Sequence, residues 1–348
     1  MTRQRCKGVA LCGGALVLVT GLLASVGAAA QSNESLFKGK QMRMVIASGA
    51  GGGYDTYGRV LSRYMVRHIP GQPAFINQNM DGAGGLTAAN WAFNVAPKDG
   101  TVILSPFNSI FYEPLFGNKA AQYDPRKFEW LGSVGKQQQT CLTWHTSPIK
   151  TIEDAMKRDT VFAASGAASN SATTPKIVNQ MIGTKFKVIT GYGSTESRLA
   201  VERGEAEGLC QSWGTLKTAA PDWLQNKQIT VLLQTGSSRQ KDLPDVPLLS
   251  EKISGAENQA VLALLNFPED AGRPFVMPPG SPAPMVAALR KAFDATMADK
   301  EFLAEANKVA MEIEPMSGAE VQRLLAAAYE TPEPLIAKAT ELLNRQTR

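Results

Sequence analysis

The chain has 348 residues of which 44% are hydrophobic, enough for two domains of ordinary size, each with its own core. Its 36 basic and 31 acidic residues leave a formal charge of +5, and the lysines and arginines are scattered with no basic stripe, which excludes nucleic-acid binding. With only His68 and His145, and no His/Cys/Asp group at metal-ligand spacing, neither a metal centre nor a histidine-based catalytic constellation is indicated.

The opening segment reads as a secretory signal. Arg3, Arg5 and Lys7 precede an apolar run from Val9 to Val26, and Ala28-Ala29-Ala30 offers a small-residue cleavage site before Gln31. An uncleaved membrane anchor is the alternative, but Gly13, Gly14 and Gly21 together with Ala28-x-Ala30 favour cleavage after Ala30. Leu11 before Cys12 does not make a lipobox. Cleavage leaves 33 basic residues (36 less Arg3, Arg5 and Lys7) against 31 acidic ones, and no further apolar stretch long enough to cross a membrane. It also leaves two cysteines, Cys141 and Cys210. They form either one disulfide, closing a 69-residue loop worth roughly 4 kcal/mol, or two buried free thiols.

One unit then recurs: a short β-prone run, a loop rich in glycine, serine or asparagine, and an amphipathic helix. Met44–Ala47 leads to the loop Ser48–Gly53 and a helix carrying Tyr57, Val60, Leu61 and Met65 on one face, stopped by Pro70-Gly71. Ala74–Asn77 leads through "QNMDGAGG" to a helix beginning near Leu86, and Thr101–Leu104 through Ser105-Pro106-Phe107-Asn108 toward Ile110 and Phe111. Farther on come Thr160–Ala164 with "SGAASNSA", Phe186–Ile189 with "TGYGSTES" and Gly208–Cys210 with "QSWGT". The reading is α/β, with every such loop at the carboxyl end of a sheet, where open α/β domains bind ligands. Three loops fall before residue 140 and three after it, so two α/β domains are expected with their binding edges facing. A helix from about Ala283, with Val286, Leu289 and Phe293 in register, and a final helix near Ser317–Glu330 are expected to return to the first domain. That gives two crossings and a hinge.

The glycines do not spell a nucleotide site. Gly49-x-Gly51 is followed by Tyr54 and Gly82-x-Gly84 by Thr87 where a third glycine is required, and Gly135-Lys136 is followed by Gln137. What remains is a set of helix starts, where unpaired N–H groups and the helix dipole favour an anion and glycine lets backbone come close. Glycines in tight turns are the plainer reading of any single loop; several converging loops favour the anion site. Ser165, Ser169 and Ser171 lack a positioned base and read as hydrogen-bond donors.

The segment "INQNMDGAGGLTAANWAFNVAPKDGTVIL", followed in order by "YDPRKFEWLGSV", "ERGEAEG", "DLPDVPLLSE" and "PPGSPAPMVAALRKAF", resembles the solute-binding proteins of tripartite tricarboxylate transporters. The resemblance covers nearly the whole chain past the signal. It implies a type II periplasmic-binding-protein fold, in which two α/β lobes joined by a two-crossing hinge close on a small carboxylate. The ligand is then handed to a membrane permease of one large and one small subunit. The expected division is a signal at 1–30, lobe 1 at 41–138 plus 272–348, and lobe 2 at 139–271. Carried over from the family, Gly51, Gly52 and Asp55 of the first loop and Gly166, Ser169 and Ser171 of the second-lobe loop grip the ligand carboxylate. Asp55 is expected to be structural or to set specificity, since a bare carboxylate beside an anion repels it.

Ser48, Gly84, Ser165, Asn170, Gly193 and Gln211 belong to the same set of loops, and Tyr54, Phe107, Tyr192 and Trp213 are candidate walls, with Arg198 or Arg273 to meet a second charge. Two departures stand out: "SGAGGGYD" replaces a proline-led loop, and "TGYGST" stands where the family commonly has Tyr-Lys-Gly. Type II topology also implies that the crossover strand around Cys141–Trp144 runs beside Gly208–Cys210, which favours the disulfide. The expectation is a monomeric periplasmic receptor without cofactor, metal or catalysis. The alternatives are a secreted enzyme acting on a small carboxylate, told apart by turnover, and a sensor that presents its ligand to a membrane kinase.

Overall fold

The computed structural model describes residues 36–344 together with Met1 and Thr2, so the signal segment, Cys6 and Cys12 lie outside the described residues. Among the described residues eleven strands form two sheets. The first contains β1 (Gln41–Ile46), β2 (Ala74–Asn79), β3 (Val102–Ser105) and β4 (Glu129–Ser133), with β10 (Pro274–Met277) and β11 (Met316–Ser317) joining from late in the chain. The second contains β5 (Gln139–Trp144), β6 (Thr160–Ala163), β7 (Phe186–Ile189), β8 (Gly208–Ser212) and β9 (Ile229–Gln234). The spatial orders are β11-β4-β10-β3-β1-β2 and β7-β6-β8-β5-β9.

In each sheet the repeated units pair in parallel, β1 with β2 and β3, and β6 with β7 and β8. β5 and β10 are inserted antiparallel to the neighbours on both sides, and β9 pairs with β5 at the edge of the second sheet. The expected strand positions hold to within a few residues, because short apolar runs between glycine and polar loops fit sheets covered on both faces. β3 shows this most plainly, being buried at all four of its positions. On the first sheet, the helix Gly53–Met65 presses Tyr57, Val60, Leu61 and Met65 against Met42, Met44, Ile46, Leu289 and Phe293, and a second cluster around Phe111, Phe128 and Trp130 covers the other face. The second sheet is likewise covered on both sides, by clusters built around Phe162 and Phe186 and around Trp213 and Trp223.

The chain leaves the first sheet through residues 134–138 and returns between β9 and β10, giving the two crossings expected. They touch: Val134 N donates to Arg273 O at 3.1 Å and Arg273 N to Gly135 O at 3.0 Å. A side chain at Gly272 (φ +73°) would place its Cβ 1.9 Å from Gly135 O, so only glycine fits this junction.

Cys141 and Cys210 lie directly opposite each other in the β5–β8 pair and are joined as a disulfide, so the adjacency implied by type II topology is present. The helix expected near Ser317–Glu330 runs Gly318–Tyr329, with Ser317 Oγ capping it by accepting from Glu320 N. It is not the last: Glu333–Asn344 follows and packs on the helices Ala256–Ala271 and Asn170–Ile182, so the tail reaches the second sheet's helices as well. None of the described helices is long and apolar enough to cross a membrane.

Candidate functional site

Where the carboxyl ends of the two sheets meet lies a cavity of about 60 Å³, against the roughly 10–15 Å³ that one water needs. Gly53, Tyr54 and Phe107 reach it from the first sheet, Gln137 from the crossing and Gln139 from the start of β5. Ser165, Ser169, Asn170, Ser171, Ser194, Cys210, Gln211, Ser212 and Thr215 reach it from the second. None of these side chains carries a charge.

Four helices begin at this cavity: Gly53–Met65, Asn170–Ile182, Ser194–Glu202 and Trp213–Ala219. The N-caps of the first three, Gly52, Ser169 and Gly193, make no side-chain capping bond, leaving first-turn N–H groups without side-chain acceptors. The fourth is capped by Ser212 Oγ, which accepts from Thr215 N. Ser169 is able to cap but its hydroxyl bonds Ser171 Oγ at 2.9 Å instead. Ser171 Oγ also meets Ser165 Oγ at 3.1 Å and accepts from Ser165 N at 3.0 Å. The arrangement is a ring of donors around a neutral wall, suited to an acceptor with negative charge.

The glycine loop after β1 is held from behind. Gly51 (φ +74°) donates its N–H to Asp55 Oδ2 at 3.0 Å, while Asp55 Oδ1 accepts from Arg59 Nε and from Asn79 Nδ2, each at 2.8 Å. The same Asn79 nitrogen donates to Ser48 O. Asp55 is thus turned into its own loop. Tyr54 packs on Phe107 with its ring tilted by 50° at 4.7 Å between centroids, accepts from Asn108 N at 3.0 Å and donates to Gln137 Oε1. Burial pushes its phenol up to about 12 against the pull of the Arg273 charge, so it stays protonated at neutral pH.

Of the residues singled out in the sequence, Tyr54, Phe107, Ser165, Ser169, Asn170, Ser171 and Gln211 come together on the cavity wall. Ser48, Gly51, Gly52, Asp55, Gly84, Gly166, Tyr192 and Gly193 sit around it without lining it. Gly84 and Gly166 meet backbone to backbone across the two sheets: a Cβ on Gly166 would lie 2.2 Å from Gly84 N, and one on Gly84 2.6 Å from Ser169 N. Gly52 faces the Ser194 side chain, a Cβ there lying 3.3 Å from its Cβ and Oγ. Asn170 Nδ2 donates to Asn108 Oδ1 at 2.8 Å, a further bond between the sheets. Trp213 points its Nε1 to Asp242 Oδ2 at 3.1 Å, and Arg198 is buried beside Gly51 O. Arg273 lies behind the wall, donating to Ser212 Oγ and Thr215 Oγ1.

Gly53, Gln137, Gln139, Ser194, Ser212 and Thr215 were not anticipated as wall residues. Gly53, Ser194, Ser212 and Thr215 lie in loops that the sequence reading places at the sheet ends, and the polar run Gln137–Gln139 entering a buried strand is the signal for the two glutamines. Among the described residues no cluster of His, Cys, Asp and Glu suited to a metal ion occurs.

Comparison with known proteins places this geometry. The chain is 26% identical over 289 residues to a UPF0065 protein of Bordetella bronchiseptica, covering 82% of this chain and 80% of the relative. Its fold matches the R. palustris protein Rpa4515, solved with adipate, with a TM-score of 0.69 at 18% identity over 86% of this chain and 97% of the other. It also matches MatC from Rhodopseudomonas palustris, solved with bound malate, with a TM-score of 0.64 at 18% identity over 87% and 99%. These structural likenesses establish the two-lobed fold of periplasmic binding proteins. Residues 58–341 match the model of the tripartite tricarboxylate transporter family receptor, and the chain belongs to that family of solute-binding receptors.

Proposed function

We propose that this protein is exported to the periplasm through a cleaved signal at 1–30 and binds a small carboxylate between a lobe formed by 41–138 with 272–348 and a lobe formed by 139–271. It then delivers the carboxylate to the large and small subunits of a tripartite tricarboxylate-type permease, acting as a monomer and without chemistry. The observation that carries this reading is the convergence of three uncapped helix starts, from both lobes, on a cavity whose wall bears no charge. A carboxylate there accepts N–H and O–H donors from both sides, and closure supplies the second set. The ligand therefore has differential affinity for the closed form, which is what shifts the equilibrium. The adipate and malate held by two structural relatives are of this class.

The serines are assigned to binding rather than attack. Ser165, Ser169 and Ser171 bond one another, no histidine stands on the wall, and His68 pairs with Asp299 at 2.8 Å elsewhere. The test is a thermal-shift screen of the chain from Gln31 onward with malate, adipate, succinate, citrate and neutral sugars. A ligand at a hundred times its Kd adds about 2.7 kcal/mol of stability. Stabilisation by one or more acids is expected; stabilisation by a sugar and by none of the acids would reject the reading.

A further inference from the structure

Arg273, one of the largest fully buried side chains of the described protein, is 1% exposed. Its guanidinium lies over the rings of Tyr57 (4.2 Å) and Tyr54 (5.2 Å). Nη2 donates to Ser212 Oγ at 2.7 Å and to Thr215 Oγ1 at 2.9 Å, while Nε and Nη1 have no hydrogen-bond partner. Among the described residues no carboxylate meets a nitrogen of this cation. The buried Glu269, four residues earlier, gives both its oxygens to Thr235 Oγ1 and one of them also to Gln139 N. A buried cation left in this state is costly unless an anion completes it.

The hydroxyls between Arg273 and the cavity have a fixed polarity. A guanidinium donates and never accepts, and a hydroxyl has two acceptor positions and one hydrogen. Ser212 Oγ accepts from Arg273 and from Thr215 N at 3.1 Å, so its hydrogen goes to Thr215 Oγ1 at 2.9 Å. Thr215 Oγ1 then accepts from both Ser212 and Arg273, which fills it, and its own hydrogen has no acceptor among the described residues. Ser212 and Thr215 both line the cavity. The relay therefore ends in an O–H that points only outward as a donor, polarised by a positive charge behind it.

We propose that Arg273, without touching the ligand, is the positioning residue that makes this cavity select an anionic oxygen, acting through the Thr215 hydroxyl. This rests on the receptor reading above and adds to it the countercharge that the uncharged wall lacks. Because Arg273 stands at the return crossing and its two acceptors on the second sheet's β8 and the helix after it, the same relay ties ligand charge to the junction between lobes.

The test measures affinity by titration calorimetry for whichever of malate, adipate, succinate or citrate binds the wild-type protein most tightly. The variants are Thr215→Val, Thr215→Ser, Arg273→Met and the double variant Arg273→Met/Thr215→Val. Losing a hydrogen bond to a charged partner predicts that Thr215→Val and Arg273→Met each weaken binding by about tenfold to a hundredfold. Thr215→Ser, which keeps the hydroxyl, stays within about threefold of wild type, and the double variant falls within about threefold of the weaker single, because both changes break one path. A packing role for Thr215 predicts the opposite order, with the isosteric valine tolerated and serine impaired. That result, or losses that multiply in the double variant, overturns the proposal. If Arg273→Met does not fold, the valine and serine pair still decides. Wild-type protein that binds none of the acids overturns the receptor reading and this inference with it, whereas wild-type binding that Thr215→Val retains in full overturns this inference alone.

Discussion

Gly166→Ala isolates closure from folding. Gly166 lies in the loop after β6 and meets the loop after β2, where an added Cβ would stand 2.2 Å from Gly84 N, 2.9 Å from Gly84 Cα and 3.0 Å from the carbonyl carbon of Ala83. All three are backbone atoms, so no side chain can rotate away. Ordinary contact begins near 3.4 Å, and the loops must separate by about 1.2 Å (3.4 less 2.2) to admit the methyl group. An opening of that size stretches the neighbouring Asn170–Asn108 bond, now 2.8 Å, beyond hydrogen-bond reach. Overpacking of this kind costs about 1–3 kcal/mol, and under the proposed receptor mechanism it falls on the closed form alone. Binding should therefore weaken roughly fivefold to a hundredfold, measured by titration calorimetry with the tightest-binding acid. Melting without ligand should stay within about 2 °C of wild type, because the relieved, open form keeps each lobe intact. Wild-type affinity in the variant, or a ligand-free melting point that falls in step with affinity, would refute the reasoning.

Reducing the Cys141–Cys210 bond, or replacing both residues with serine, removes a 69-residue crosslink in the second sheet and should lower unfolding stability by roughly 4 kcal/mol in urea titrations run with and without reductant. Asp55→Ala leaves Gly51 N, Asn79 and Arg59 without their shared acceptor and should destabilise by about 2–4 kcal/mol, with affinity falling as the glycine loop loosens. Burial raises the Glu269 carboxyl from 4.5 to about 8. The folded state therefore holds a proton that the unfolded state has lost between those values, and stability should fall as pH rises through that window and level off above it. Glu269→Gln should flatten this decline in urea unfolding followed across the window, and an unchanged slope would assign the dependence to another group.

The recurrent strand, loop and helix were readable because their signals are local: apolar runs such as Val102–Leu104, glycine breaks, and the spacing of Tyr57, Leu61 and Met65 operate over a few residues. The order of family-like segments carried the reading further, to the facing loops and to the pairing of Cys141 with Cys210, since topology dictates which strands are neighbours. It did not reach the helix Glu333–Asn344, although Leu335, Ile336, Ala339, Leu342 and Leu343 recur at helical spacing; what they pack on, the helices Ala256–Ala271 and Asn170–Ile182, is set by the fold. Nor did it set the roles of individual residues. Gly84 and Gly166 stand in expected ligand loops, and the fold brings them backbone to backbone, a contact nothing local announces. Arg273 suggested a direct ionic contact, and the fold buries it behind Ser212 and Thr215. The sequence alone determined which segments form sheets and which loops gather at their ends, because backbone propensity and hydrophobic period act between near neighbours. Only the tertiary structure decided which donors face the cavity and which face one another, because that depends on the register of two crossings between residues far apart in the chain, where a shift of an ångström exchanges one partner for another.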